Sequence, residues 1–190
     1  MNSGPEEPVR RPDPSGPAKY RLLFGYAICL ASLLFARREL FLPGIGLAML
    51  GIALRIWSAG HLHKDRRLAT GGPYAFCRNP LYLGSFLLGL GGMIAIRVWW
   101  LLAVYVLGFF AFYYPTMRGE EEFLLARFGD EFESYRKRVP SFLPLKIGSG
   151  SGDFSFSNVM RNKEYKYAVW SMAFLTALEG VIRLRAVLGR

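Results

Sequence analysis

FLPGIGLAMLGIALRIWSAGHL, residues Phe41–Leu62, is the stretch on which the fold turns. One charge, Arg55, interrupts an otherwise apolar run. Roughly 17–25 such residues, coiled as a helix, match the hydrocarbon thickness of a bilayer. Gly44-x-Gly46 inside such a run marks the close approach of a neighbouring helix rather than a nucleotide loop.

The same pattern recurs on either side. Tyr20–Ala36 is nearly charge-free after Arg21, and Leu81–Ile96 and Val98–Met117 carry no charge, so Arg97 becomes the tip of a hairpin. Apolar residues make up 52% of the 190 and aromatics 15%, yet the net charge is +10. A soluble basic domain would disperse its apolar residues at helix or strand periods; here they come in long blocks. Membrane lipids, and not nucleic acid, are the expected partners of that charge. A further stretch, Ala168–Leu188, has about eleven apolar residues before Glu179, a length often interfacial or packed on protein. Thr176, Glu179 and Arg183 share one face of it, which either lines the bundle or lies on the membrane surface. It is read as a fifth membrane helix. The expected fold is all-α, a multi-pass transmembrane bundle.

The Pro/Gly-rich residues 1–18 are expected to be a disordered arm and not a cleaved signal peptide. Residues 19–147 form the membrane core, 148–160 (beginning GSGSGDFSFSN) a flexible linker, and 161–190 the C-terminal helix. Cys29 and Cys77 make no disulfide framework, and His61, His63 and Cys77 fit no metal-ligand spacing, so no metal is expected.

Basic residues set the topology. Arg10, Arg11, Lys19 and Arg21 precede the first helix; Lys64, Arg66, Arg67 and Arg78 follow the second; Arg118, Arg127, Arg136, Lys137, Arg138 and Lys146 follow the fourth. With four helices these clusters share one side, the cytoplasmic one, of a bacterial inner membrane or endoplasmic reticulum. Two polar segments, 61–84 and 118–145, then face each other across one membrane surface.

The first of these contains GGPYAFCRNPLYLG, Gly71–Gly84. Asn79 reads as the N-cap and Pro80 as the first turn of the third helix. Irregular backbone at membrane depth must be buried in protein or line a cavity. The aromatic faces of Tyr74 and Tyr82 suit a cationic ligand centre, and a carboxylate such as Glu120 suits an ammonium group. The second segment, RGEEEFLLARFGDEFESYRKRVPSFLP, reads as an amphipathic helix with Glu120–Glu122 at its start, a bend or end at Gly129, and a short turn placing Phe132 and Tyr135 inward. The acidic triplet also fits a solvated helix start, and Tyr135 with Arg136–Arg138 fits membrane-interface anchors. There is no GxSxG elbow, Walker loop or HExxH, nor room for a Rossmann domain.

Together, LATGGPYAFCRNPLYLG and EEEFLLARFGDEFESYRKRVPSFLP resemble the isoprenylcysteine carboxyl methyltransferases and the related phospholipid methyltransferases, over roughly Trp57–Pro144. The resemblance implies an integral membrane methyltransferase using S-adenosylmethionine, with a lipophilic or prenylated acceptor. Carried over by position, cofactor contacts fall on the backbone of Leu68 and Ala69, on Tyr74, on Asn79, Pro80 and Tyr82, and on Glu120; Glu121 is its neighbour and possible substitute. Arg78 is added on charge grounds as a structural or cofactor-carboxylate partner. Arg118 and Glu121 are the expected catalytic residues, Arg118 orienting an anionic acceptor. The sequence departs from the prenylcysteine enzymes in having Asn79 at a histidine position, Arg66 at another, and Thr116 where they carry a substrate-side arginine. Carboxyl O-methylation is favoured. Phospholipid N-methylation, an NADPH-dependent reductase of the sterol-reductase type using Arg66, Arg67 and Arg78, and a non-enzymatic scaffold are the alternatives.

Overall fold

Two helices pack so closely that only glycines fit between them. In the computed structural model, which describes residues 16–37, 39–62, 67–144 and 152–189, α2 (Leu42–His61) and α3 (Pro80–Ile96) form this pair. A methyl group at Gly44 would strike the backbone of Ala95, one at Gly51 the backbone of Leu88, and one at Gly91 the backbone of Ala48. Small residues let membrane helices gain dispersion contact where no hydrophobic effect drives them together. The reading of Gly44 as a packing glycine holds, whereas Gly46 faces open space. The start of α2 is further tied to the end of α3 by Phe41 N–H donating to the Ala95 carbonyl at 2.9 Å.

The hairpin expected at Arg97 is present. Arg97 adopts a left-handed conformation at the end of α3, and its guanidinium donates to the Glu39 carbonyl at 2.7 Å. From there α4 extends from Trp99 to Arg138, 40 residues, with Pro115 inside it and a kink at Gly129. At 1.5 Å per residue that is about 60 Å, twice a bilayer's hydrocarbon thickness, so its second half stands outside the membrane. The separate amphipathic helix expected at Glu120 is therefore a continuation of α4. Its Glu, Leu, Ala and Arg residues propagate a helix well, and the acidic triplet lies mid-helix. Gly129, with φ of 48° and ψ of −123°, bends α4 in a conformation only glycine adopts cheaply. Beyond it Phe132 and Tyr135 turn inward, as expected.

Around this pair sit α1 (Arg21–Phe35), preceded by a 3-10 turn over Gly16–Tyr20 with Ala18 buried, a short α5 (Phe156–Arg161), and α6 (Glu164–Val187). Gly16–Ala18, expected within the disordered arm, belong to this turn, and residues 1–15 lie outside the described residues. The linker expected over 148–160 is ordered chain from Gly152 onward; 148–151 lie outside the described residues. Its order has a clear cause: α2 ends with carbonyls lacking helical partners. Ser155 N–H and the Asn158 amide each donate to the Gly60 carbonyl at 3.1 Å, and Asn162 donates to Ala59 and Leu62 at 3.0 and 3.2 Å.

The C-terminal helix spans Glu164–Val187, 24 residues, inside the expected 161–190 and starting ahead of the apolar stretch at Ala168. Glu164 is buried and takes a bidentate ion pair from Arg55 of α2, Nη2 to Oε2 at 2.7 Å. Arg55 also donates to the Leu81 carbonyl and the Ser85 hydroxyl of α3 and lies 4.2 Å from the Tyr167 ring. The one charge in the opening stretch therefore fastens α6 to the α2–α3 pair. Glu179 and Arg183 pair with each other at 2.7 Å on the exposed side of α6. Four helices, α1 with its leading turn, α2, α4 and α6, are long and apolar enough to cross a membrane, and α3 is a shorter apolar helix. The chain is an all-α, multi-pass membrane bundle.

The glycine packing gives a direct test. Gly91→Leu should lower stability by about 2 kcal/mol or more through overpacking against backbone. Gly46→Ala should leave it within about 0.5 kcal/mol. Thermal unfolding of both variants in the same detergent reads the difference.

Candidate functional site

Loop and helix meet at one carboxylate. Glu121 sits in α4 with only 6% of its surface exposed, and a buried charge must be paired and hydrogen-bonded to be tolerated. Its Oε1 accepts from Ser141 Oγ at 2.7 Å, Asn79 Nδ2 at 2.9 Å and Arg78 Nε at 3.2 Å, while Oε2 accepts from Arg78 Nη2 at 3.0 Å. Three segments far apart in sequence converge here: the loop, the middle of α4 and the chain leaving α4.

Backbone bonds complete the junction. Arg78 N–H donates to the Pro140 carbonyl at 2.9 Å and Asn79 N–H to the Ser141 carbonyl at 3.1 Å. Arg78 Nη1 reaches the Arg136 carbonyl at 2.8 Å. The Tyr135 hydroxyl donates to the Tyr74 carbonyl at 2.7 Å, and Leu68 packs with Phe132 and Tyr135 in a small separate core. Tyr74 is buried in the 3-10 turn Gly72–Ala75. Burial raises the hydroxyl pKa of both Tyr74 and Tyr135, so both stay neutral donors. Cys77 is buried too, and desolvation pushes its thiol up to about 11, which removes it as a nucleophile at neutral pH.

Asn79 is the clearest correction. It occupies the cap position of α3, but its side chain makes no capping hydrogen bond. The amide is drawn instead to Glu121 and to the Ser141 carbonyl at 3.1 Å, because an unpaired buried carboxylate costs more than an uncapped helix end. Pro80 does stand in the first turn of α3, as expected.

Glu120, the neighbouring residue, faces the other way. It is exposed and its Oε1 accepts from the Tyr82 hydroxyl at 3.0 Å. The Tyr82 ring lies edge-on to Tyr113 at 6.1 Å between centroids. Glu121, expected among the reacting groups, and Arg78 are thus bound up in the loop junction, while Glu120 and Tyr82 form the open pair. Arg118 is exposed, Ala69 half-buried beside buried Leu68; Arg66 and His63 lie outside the described residues. Among the described residues no cluster of His, Cys, Asp and Glu could hold a metal ion.

Behind Tyr113 lies a cavity of about 780 Å³ between α1, α3, α4 and α6. Its walls are mostly apolar, with Phe24, Phe109, Phe174 and Leu178 among them, and Arg21, Arg55 and Lys166 also line it. Sequence reasoning missed this cavity and missed Ser141. Nothing in a local pattern tells that Arg21 of α1 and Tyr113 of α4 border one space.

A loop is thus locked onto a membrane helix by a buried carboxylate, beside an open carboxylate–tyrosine pair. Residues 41–131 match the family model described as phospholipid methyltransferase. The chain is 35% identical over 144 residues to the cobalt-zinc-cadmium resistance protein CzcN of Cupriavidus metallidurans, covering 70% of this chain and 64% of that protein. It is 38% identical over 104 residues to the nickel-cobalt-cadmium resistance protein NccN of Alcaligenes xylosoxydans xylosoxydans, covering 50% and 47%. To the protein-S-isoprenylcysteine O-methyltransferase of Schizosaccharomyces pombe it is 37% identical over 87 residues, 46% and 37%. The chain thus spans less than two thirds of the length of each of these relatives. No solved structure matches the chain.

The two adjacent glutamates should separate cleanly. Glu121→Ala leaves Arg78 buried without its partner and should cost about 3 kcal/mol in thermal unfolding. Glu120→Ala, on an exposed surface, should change stability by less than about 0.5 kcal/mol.

Proposed function

We propose that this chain transfers a methyl group from S-adenosylmethionine to a lipid-like acceptor, with carboxyl O-methylation of the isoprenylcysteine type as the favoured reaction. One observation carries the reading: the open Tyr82–Glu120 pair stands between the locked loop and the Tyr113 wall of the apolar cavity. The donor set suits the cofactor, since a carboxylate beside aromatic faces favours a sulfonium or ammonium centre. Glu120, Tyr82 and the backbone of Leu68 and Ala69 would hold it. Tyr74, Asn79 and Pro80 would shape that backbone, being buried or already hydrogen-bonded. When bound, S-adenosylmethionine supplies an electrophilic methyl group.

The chain's own task is then to align the acceptor and exclude water. An acceptor carboxylate needs no general base, which agrees with a site whose Tyr74, Tyr135 and Cys77 are all held neutral by burial. The acceptor's apolar part would occupy the cavity, entering sideways from the bilayer at the cytoplasmic face. The family model's description favours one second reading, phospholipid N-methylation, in which the acceptor amine must first lose a proton. Against a reductase stands Arg78, whose guanidinium is taken up by Glu121 and Arg136 and so is closed to a nucleotide phosphate.

Calorimetric titration of the purified chain tests this. S-adenosylhomocysteine should bind and NADPH should not, and Glu120→Ala should weaken S-adenosylhomocysteine by at least about tenfold with its unfolding temperature kept. Absence of S-adenosylhomocysteine binding by folded protein sinks the methyl-transfer reading.

A further inference from the structure

Three cations line the cavity, and they are not equivalent. Arg55 is neutralised by Glu164. Lys166 lies on the exposed surface of α6. Arg21, the first residue of α1, is half-buried, and its guanidinium donates to the Thr116 hydroxyl at 3.3 Å. Among the described residues no carboxylate forms an ion pair with Arg21, whose guanidinium is held by a neutral hydroxyl. Thr116 stands one helical turn before Glu120 on α4, and residues four apart share a helix face. Arg21 therefore sits where the cavity approaches the Tyr82–Glu120 pair, and its charge reaches Tyr82 and Tyr113. An ionisable side chain kept at the polar end of an apolar intramembrane cavity, with no ion-pair partner among the described residues, is placed to meet an opposite charge.

Resting on the methyl-transfer reading above, we propose that Arg21 is the residue that binds the acceptor's anionic group, with the acceptor's apolar chain lying in the cavity beyond it. Planar guanidinium donors match a carboxylate or phosphate in two-point contact. Arg118, the sequence's candidate for this task, is exposed and does not line the cavity. The position assigns Arg21 a role from outside the matched segment 41–131. The cavity has room beside it: a methyl group at Gly25 or Gly92, both lining residues, would meet no atom within 4 Å. The acceptor class is thus an amphiphile whose anion lies close to the methylated atom.

The test compares two ligands that differ in that charge and in one methyl group: S-farnesylthiopropionic acid and its methyl ester, bound to the full chain in nanodiscs of zwitterionic lipid. The native chain should prefer the acid by about tenfold or more, the discrimination a site built for a polar partner supplies. Arg21→Gln should bring the ratio near unity with S-adenosylhomocysteine affinity unchanged, and Arg21→Lys should restore part of it. Thr116→Glu, which offers Arg21 an internal carboxylate, should abolish the preference with Arg21 still present, covering the case in which Arg21→Gln fails to fold. Arg118→Gln should leave the ratio as it is. An acid-to-ester ratio unaltered in Arg21→Gln, a native chain without preference, or loss of preference in Lys166→Gln alone overturns the proposal. If a phosphodiester lipid outcompetes both probes and loses that advantage in Arg21→Gln, Arg21 remains the anion-binding residue and the anion is a phosphate. Failure of S-adenosylhomocysteine to bind the native chain would count against the methyl-transfer reading alone, since the acid-to-ester ratio is measured without it.

Discussion

A carboxylate that cannot be left alone organises the polar end of this protein. Glu121 is buried on α4, and removing a charge from water is tolerated only when its lone pairs are filled. Arg78, Asn79 and Ser141 fill them. In doing so they pin a loop whose own regular structure is one short 3-10 turn against a helix and against the chain beyond it. Successive helix residues point about 100° apart, so a Glu121 that faces inward directs Glu120 outward. The rigid junction and the open carboxylate are two consequences of one helical register.

A second buried pair, Arg55 with Glu164, does comparable work within the membrane region. Arg55 arises in the one charge of the α2 stretch and binds a helix over a hundred residues later in sequence. The asparagines and Ser155 that satisfy the last carbonyls of α2 guide the chain into α6. As a result the family segment, which ends at residue 131, acquires two outer walls from α1 and α6. The cavity exists only because those walls are present.

Hydrophobic block length was enough to read the membrane helices, and a lone arginine between two blocks marked the hairpin. The loop's position and the inward turn of Phe132 and Tyr135 were legible because glycine, proline and aromatic spacing act locally. Asn79 holds the cap position that was read for it, but its side chain does not cap: capping is a local preference worth about 1 kcal/mol, and a buried carboxylate from forty residues away outweighs it. The pairing of Glu164 at the start of α6 was invisible for the same reason, since its partner is the distant Arg55. The GSGSGDFSFSN composition resembled a linker, yet the carbonyls of α2 supplied the hydrogen bonds that order its second half. Arg21 looked like a topological charge until Thr116 came beside it.

Under the proposed function, the open pair and the cavity hold donor and acceptor for methyl transfer to a lipid carboxylate. Incubating the purified chain with methyl-labelled S-adenosylmethionine and a farnesylated cysteine carboxylate tests it most directly. The account predicts label on the lipid that alkali releases as volatile methanol, the behaviour of a methyl ester. Label that alkali does not release, or no transfer by protein that binds both partners, would contradict it.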